Sequence, residues 1–382
     1  MKEKVINYLK KETVLCIAVL LAVISSFMVL PDREYIGYVD FRTLGILFCL
    51  MSVMAGLQKL GCFQMIAEKL LTKVNNRGQL VCILVLLCFF FSMLITNDVA
   101  LITFVPFTFT VLRLLGEEQV RKLVIPVVVL QTVAANLGSM LTPIGNPQNL
   151  YLYARSGLSV GKFLWLMLPF TLISLILLLV SCFWLGRKEK GSDLQVTFSK
   201  SVSLDGKEKL LAMYLVLFLL CLLTVARILS VPIVLAIVLT AVMIADRKVL
   251  CRVDYSLLVT FVGFFVFIGN MGRIPGFCRF LEKMIKGNEV LTAVLSSQVI
   301  SNVPAALLLS GFTDNYEGLI IGTNLGGLGT LIASMASLIS YKYIVRESDG
   351  RTDKGRYVFT FSVTNILFLI VLAVTYVVIR MM

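Results

Sequence analysis

Histidine is absent from the 382 residues. That removes the usual general base and the commonest metal ligand. Charge is scarce as well: Asp, Glu, Lys and Arg make up 15% of the chain, where a soluble domain carries about a quarter. The nine cysteines sit mostly in apolar runs (Cys16, Cys49, Cys82, Cys88, Cys182, Cys221) without metal-ligand spacing, and they read as packing residues. No nucleophile stands beside a base, and the GGLG at 326–329 is not followed by the Gly-Lys-Ser/Thr of a phosphate loop. These absences argue against an enzyme, a metal centre and a bound cofactor.

What is present is apolar sequence. The chain is 58% hydrophobic, with mean hydropathy +0.93 and long apolar runs from end to end, which defines an all-α polytopic membrane protein. The run after the charged segment Met1–Thr13 has no small-residue cleavage site before Pro31, so it is expected as a retained span. The net charge of +13 is assigned to basic loops and anionic headgroups, not to nucleic acid.

About nine full spans are expected, over 13–30, 41–60, 123–155, 161–185, 210–227, 230–246, 254–272, 316–342 and 357–380. Two apolar stretches fit no single span. Residues 79–115 are interrupted by Thr96-Asn97-Asp98, and residues 288–313 by Ser301-Asn302 and Pro304. Each is expected as a re-entrant hairpin of two half-length helices with a polar tip at mid-depth. On that topology most of the 35 Lys and Arg fall on the side of the N-terminus, which places it in the cytoplasm of a plasma-membrane protein. The basic segment Arg273–Lys286 is the exception. Residues 61–74 and 276–287 read as amphipathic helices leading into the hairpins.

Residues 131–150, QTVAANLGSMLTPIGNPQNL, combine amides, hydroxyls, Gly and Pro inside an apolar run. Gly145 can close one helix, Asn146 can cap the next, and Pro147 suits its first position. A helix that stops in mid-membrane and restarts is expected. The chain holds a second copy. Val39-Asp40-Phe41 matches Val253-Asp254-Tyr255, Thr96-Asn97 matches Ser301-Asn302, and 135–150 matches 323–338 at an offset of 188, with Asn136/Asn324, Gly138/Gly326 and Thr142/Thr330 identical. Two inverted repeats follow, 1–185 and 210–382, joined by a cytoplasmic linker over 186–209. Paired interrupted segments in inverted halves point to a transporter's central site.

That site would join two hairpin tips to broken helices 123–155 and 316–342. Thr96, Asn97, Thr142, Asn146, Gln148, Asn149, Ser301, Asn302, Thr330, Ser334 and Ser337 supply amides and hydroxyls for a carboxylate, an oxyanion or a neutral hydroxylated solute. Helix N-termini there, with Asn97, Asn146, Ser301 or Asn302 as caps, favour an anion. Unwound carbonyls at Gly145, with Asn97 and Asn302, suit a cation such as Na⁺. Asp98 is the acidic residue placed at mid-depth. An isolated carboxylate there must be protonated, paired or bound to a cation, so it reads as a coupling residue or a helix cap. Its counterpart in the second half is Val303, which favours coupling. Asp40 and Asp254 read as helix starts, and Gln131 as a site residue or an interhelical tie.

At VDFRTLGILF (39–48), TNDVALITFVP (96–106), NLGSMLTPIGNPQNLYLY (136–153) and SNVPAALLL (301–309) the chain resembles the ion transporter superfamily. That group includes arsenite-efflux permeases, NhaD-type sodium/proton antiporters, citrate–metal transporters and divalent anion/sodium symporters. The resemblance implies two inverted repeats, re-entrant hairpins, a homodimer and elevator-like movement of the hairpin domain. The dicarboxylate branch carries Ser-Asn-Thr tips, whereas here the tips read Thr96-Asn97-Asp98 and Ser301-Asn302-Val303. The combined expectation is a secondary permease for a small anion, oxyanion or carboxylate, coupled to H⁺ or Na⁺. A Na⁺/H⁺ antiporter and an arsenite efflux permease of the same fold stay open.

Overall fold

A computed structural model describes residues 12–187, 204, 206–347 and 354–381 of the chain. Most of the linker expected over 186–209, and the basic residues before Glu12, lie outside the described residues. Helix is the only regular structure among those described. Seven helices are long and apolar enough to cross a membrane. The protein is a multi-pass membrane protein.

The first half opens with α1 (Thr13–Met28) and a short α2 (Glu34–Tyr38). Asp40 then starts α3 (Phe41–Leu60), accepting from the Thr43 N–H at 3.0 Å and the Thr43 hydroxyl at 2.6 Å, and left-handed Gly61 (φ 79°) ends it. The amphipathic α4 (Cys62–Leu71) leads to α5 (Arg77–Ser92) and α6 (Asn97–Leu114), which form the first hairpin. Next come α7 (Glu117–Ser139), α8 (Pro147–Ser156) and α9 (Val160–Arg187). Two further helices, α10 (Glu208–Val225) and α11 (Val231–Asp246), open the second half. There the order recurs as α12 (Tyr255–Gly272), α13 (Pro275–Ile285), hairpin α14 (Glu289–Ile300) and α15 (Asn302–Leu309), broken helix α16 (Tyr316–Leu325) and α17 (Met335–Glu347), and α18 (Lys354–Met381).

Asp254 caps α12 as Asp40 caps α3, with backbone angles of −79°, 83° against −80°, 82°. Both aspartates are therefore helix starts. The leading helices cross over: α1 packs on α12 of the second half, while α11 packs on α3 of the first. Glycine permits the first crossing, since a Cβ on Gly263 would lie 3.0 Å from the backbone of Ala18. Gln131 ties neighbouring helices, donating to the Leu84 carbonyl (3.0 Å) and the Thr108 hydroxyl (2.8 Å).

Both tryptophans lie on α9, Trp165 at 76% and Trp184 at 63% exposure. Nineteen residues apart, they are separated by about 28 Å of helix, close to the ~30 Å hydrocarbon thickness and suited to the two interfaces. Within the basic exception to the charge pattern, Arg273 is neutralised locally. Arg273 pairs with Asp32 at 2.6 Å and with Glu34 at 3.5 Å, and this hydrogen bond holds the Asp32 carboxyl below its ordinary range.

The arms of the first hairpin are 16 and 18 residues long, not the half-length helices expected, whereas those of the second are 12 and 8. The broken helices account for the difference. In the first half, 23 residues of α7 precede the break that the tip must meet; in the second, α16 supplies 10.

Candidate functional site

Each hairpin tip is hydrogen-bonded to the break of its own half. The Asn97 N–H donates to the Gly145 carbonyl at 3.0 Å, and the Asn302 N–H to the Ala333 carbonyl at 3.0 Å. A second tie is also duplicated. The Thr142 hydroxyl donates to the Met93 carbonyl at 2.5 Å, and the Thr330 hydroxyl to the Gln298 carbonyl at 3.1 Å. Close packing recurs too: a Cβ on Gly138 would meet the Ser92 hydroxyl at 2.5 Å, and one on Gly326 the Ser297 hydroxyl at 2.6 Å.

Amides join the halves. Asn97 donates through Nδ2 to Asn136 Oδ1 (3.2 Å), which also accepts from the Ser334 hydroxyl (2.9 Å), while Asn136 Nδ2 reaches the Gly327 carbonyl (3.4 Å). Asn146 caps α8 through the Asn149 N–H (2.9 Å) and donates from Nδ2 to Asn324 Oδ1 (3.1 Å). Asn324 Nδ2 in turn donates to Asn149 Oδ1 at 2.6 Å. All of these side chains are buried. The N-termini of α6, α8, α15 and α17 thus come together with the C-terminal ends of α7 and α16. The first favour negative charge and the second positive charge.

The remaining expected residues are distributed unevenly. Thr96, not Asn97, is the cap of α6, accepting from the Val99 N–H at 3.5 Å; the Asn97 Oδ1 takes the Asp98 N–H at 3.0 Å. Ser301 holds the cap position of α15 at φ 73°, a strained value for a residue with a Cβ, and its side chain makes no cap bond. Thr330 is exposed and held by Gln298 through both its N–H and its hydroxyl, apart from the amide network. The Gly145 carbonyl is taken by the Asn97 N–H, and a Cβ there would stand 2.0 Å from the Ser139 carbonyl oxygen, so only glycine fits. Asp98 Oδ1, Gln148 Oε1 and Ser337 Oγ are buried without a hydrogen-bond partner. Unsatisfied buried polar atoms are rare and each calls for an explanation.

Three participants escaped the sequence reading. Asn136 and Asn324, the identical pair of the internal match, form the centre of the network, and that identity was the available signal. Gln298 sits in an apolar run, yet its Nε2 donates to the Gly326 (3.0 Å) and Leu328 (2.9 Å) carbonyls.

An all-helical multi-pass protein whose paired hairpin tips close on paired helix breaks is built as a membrane transporter. The comparison with protein families agrees and is more specific: the citrate transporter family matches residues 5–315, and the chain belongs to that family. It is 33% identical to an uncharacterized transporter of Methanocaldococcus jannaschii, over 90% of this chain and 91% of the relative. It is 31% identical to the inner membrane protein YbiR of Escherichia coli, over 84% of each. A shorter match, 30% identical over 41% of this chain and 32% of the relative, is to the silicon efflux transporter LSI3 of Oryza sativa subsp. japonica.

Proposed function

We propose that the protein is a secondary active permease for a small anion, an oxyanion or a carboxylate, coupled to H⁺ or Na⁺. The observation that carries this is the pair of helix breaks joined through Asn146, Asn324 and Asn149 and through Asn97, Asn136 and Ser334. Four helix N-termini with neutral amides between them suit an anion. The neighbouring carbonyls and Asp98 suit Na⁺ or a proton. The duplicated tip-to-break bonds support two inverted repeats, 1–185 and 210–382. In an elevator cycle the hairpins and broken helices move as a body against α1, α3, α10, α11 and α12, in a homodimer in the plasma membrane with the N-terminus cytoplasmic.

A second reading is cation/proton antiport or efflux of an undissociated hydroxy acid such as arsenite. The unpartnered Asp98 oxygen favours the first, and the likeness to a silicon efflux transporter of rice favours the second. A thermal-shift series on purified protein with citrate, succinate, sulfate, arsenite and Na⁺ separates them, because a ligand of the native state raises the midpoint with concentration. Stabilisation by a carboxylate or sulfate, with or without Na⁺, supports the first proposal; a response to arsenite alone, or to Na⁺ with no anion adding to it, moves the assignment to the second reading. In proteoliposomes Asp98→Asn is expected to abolish ion-coupled flux while the protein remains folded. Undiminished coupling would remove Asp98 from the mechanism.

A further inference from the structure

Apart from the amide network, a cavity of about 300 Å³ lies between the end of α3, the start of α4 and the middle of α6. Its polar lining is Gln58, Gln64, Thr103 and Thr110, and Ile102 and Pro106 supply part of the apolar wall. That volume and that lining suit several waters. Gln58 Nε2 donates across it to the Thr103 hydroxyl at 3.1 Å, and that hydroxyl donates to the Val99 carbonyl at 2.7 Å. Pro106 carries no N–H, so the Ile102 carbonyl lacks its helical i+4 donor.

The register of α6 links this cavity to the unexplained carboxylate. Asp98, Ile102, Pro106 and Thr110 are spaced by four and share one face. Asp98 lies one turn beyond Ile102, about 6 Å nearer the hairpin tip. Its Oδ1 is buried and unpartnered, whereas Ile102 is 41% exposed on the cavity side of that step. At the other end of the same helix, Arg113 pairs with Glu347, and Lys59, next to Gln58, pairs with Asp246.

We infer that this cavity is the aqueous vestibule of Asp98: a path along one face of α6 that brings protons or small hydrated cations from the basic, cytoplasmic side, with Ile102 as its constriction. The inference takes its purpose from the transporter reading, but the path is tested without any transported substrate, so the two can fail separately.

Single cysteines at Asp98, Ile102 and Thr103 of the full chain are labelled with a membrane-impermeant methanethiosulfonate in inside-out and right-side-out vesicles. Modification is counted by mass over the unsubstituted chain. All three are expected to react at least tenfold faster from the cytoplasmic side. Adding Ile102→Trp is expected to slow Asp98→Cys at least tenfold. Val105→Cys, fully buried away from the cavity, is expected to stay unmodified from both sides. If Asp98→Cys does not yield folded protein, a water-soluble carbodiimide with a glycine ester reports on native Asp98 instead, with Ile102→Trp as the block. The vestibule is overturned if position 98 or 103 is unreactive from the cytoplasm, if it reacts faster from outside, or if Ile102→Trp leaves the Asp98 rate unchanged.

Discussion

In the first hairpin–break unit the unwound stretch is braced by the helix that follows it. Asn149, in α8, donates to the carbonyls of Ser139 (3.4 Å), Met140 (3.4 Å) and Thr142 (3.2 Å). In the second unit the brace comes from the hairpin: Gln298, in α14, donates to Gly326 and Leu328 and accepts from the Thr330 N–H at 2.9 Å. The matching positions are vacated in each case. Met93 stands where the second unit has Gln298, and Ser337, with an unpartnered hydroxyl, stands where the first has Asn149. A break in a membrane helix must have its freed carbonyls satisfied, but the donor can come from either side. One consequence is that the second unit keeps a short hydroxyl where the first has a long amide.

The largest effect that tests this difference is at Gly145. Gly145→Ala drives a Cβ into the Ser139 carbonyl and is expected to cost about 3 kcal/mol or more. Ala333→Gly at the matching position is expected to cost about 0.5–1 kcal/mol. Thermal midpoints of purified protein give the ratio, and equal losses would mean that the two breaks are not differently packed. Exchanging the braces is next. Asn149→Ser and Gln298→Met each leave buried carbonyls without a donor, at about 1–3 kcal/mol. Adding Ser337→Asn to Gln298→Met supplies the first unit's brace to the second and is expected to restore half or more of the loss. No restoration would show that the two schemes are not interchangeable. Smallest is Ser337→Ala, which removes a hydroxyl with no partner and is expected to change stability by less than about 0.5 kcal/mol. If substrate KM moves several-fold while stability does not, Ser337 belongs to the ligand; if neither moves, it leaves the site.

The caps at Asp40, Asp254 and Asn146, the breaks, and the two polar tips were legible because local chemistry places them: a side-chain acceptor, a proline, a glycine. The helix pairing of Asn97 with Asn136, or of Asn146 with Asn324, was not. An amide in an apolar run announces a need for a partner but not which partner, since that depends on two helices meeting from separate halves. Gln298 was lost among its apolar neighbours for the same reason. Thr330 was grouped with the site because it matches Thr142, yet that match reflects a shared tie to a hairpin carbonyl. The unequal hairpin arms depend on where each broken helix stops, which composition alone does not fix.

The crossing of α1 onto α12 also bears on how the protein is made. Ser25 on α1 receives its hydrogen bond from Asn270 on α12 at 3.0 Å, across 245 residues of sequence. At about 5–20 residues per second of synthesis, α1 waits on the order of ten to fifty seconds in the bilayer before its partner exists. Helix α1 is therefore packed late, and the nascent chain must keep it in reach while the helices between it and α12 are made.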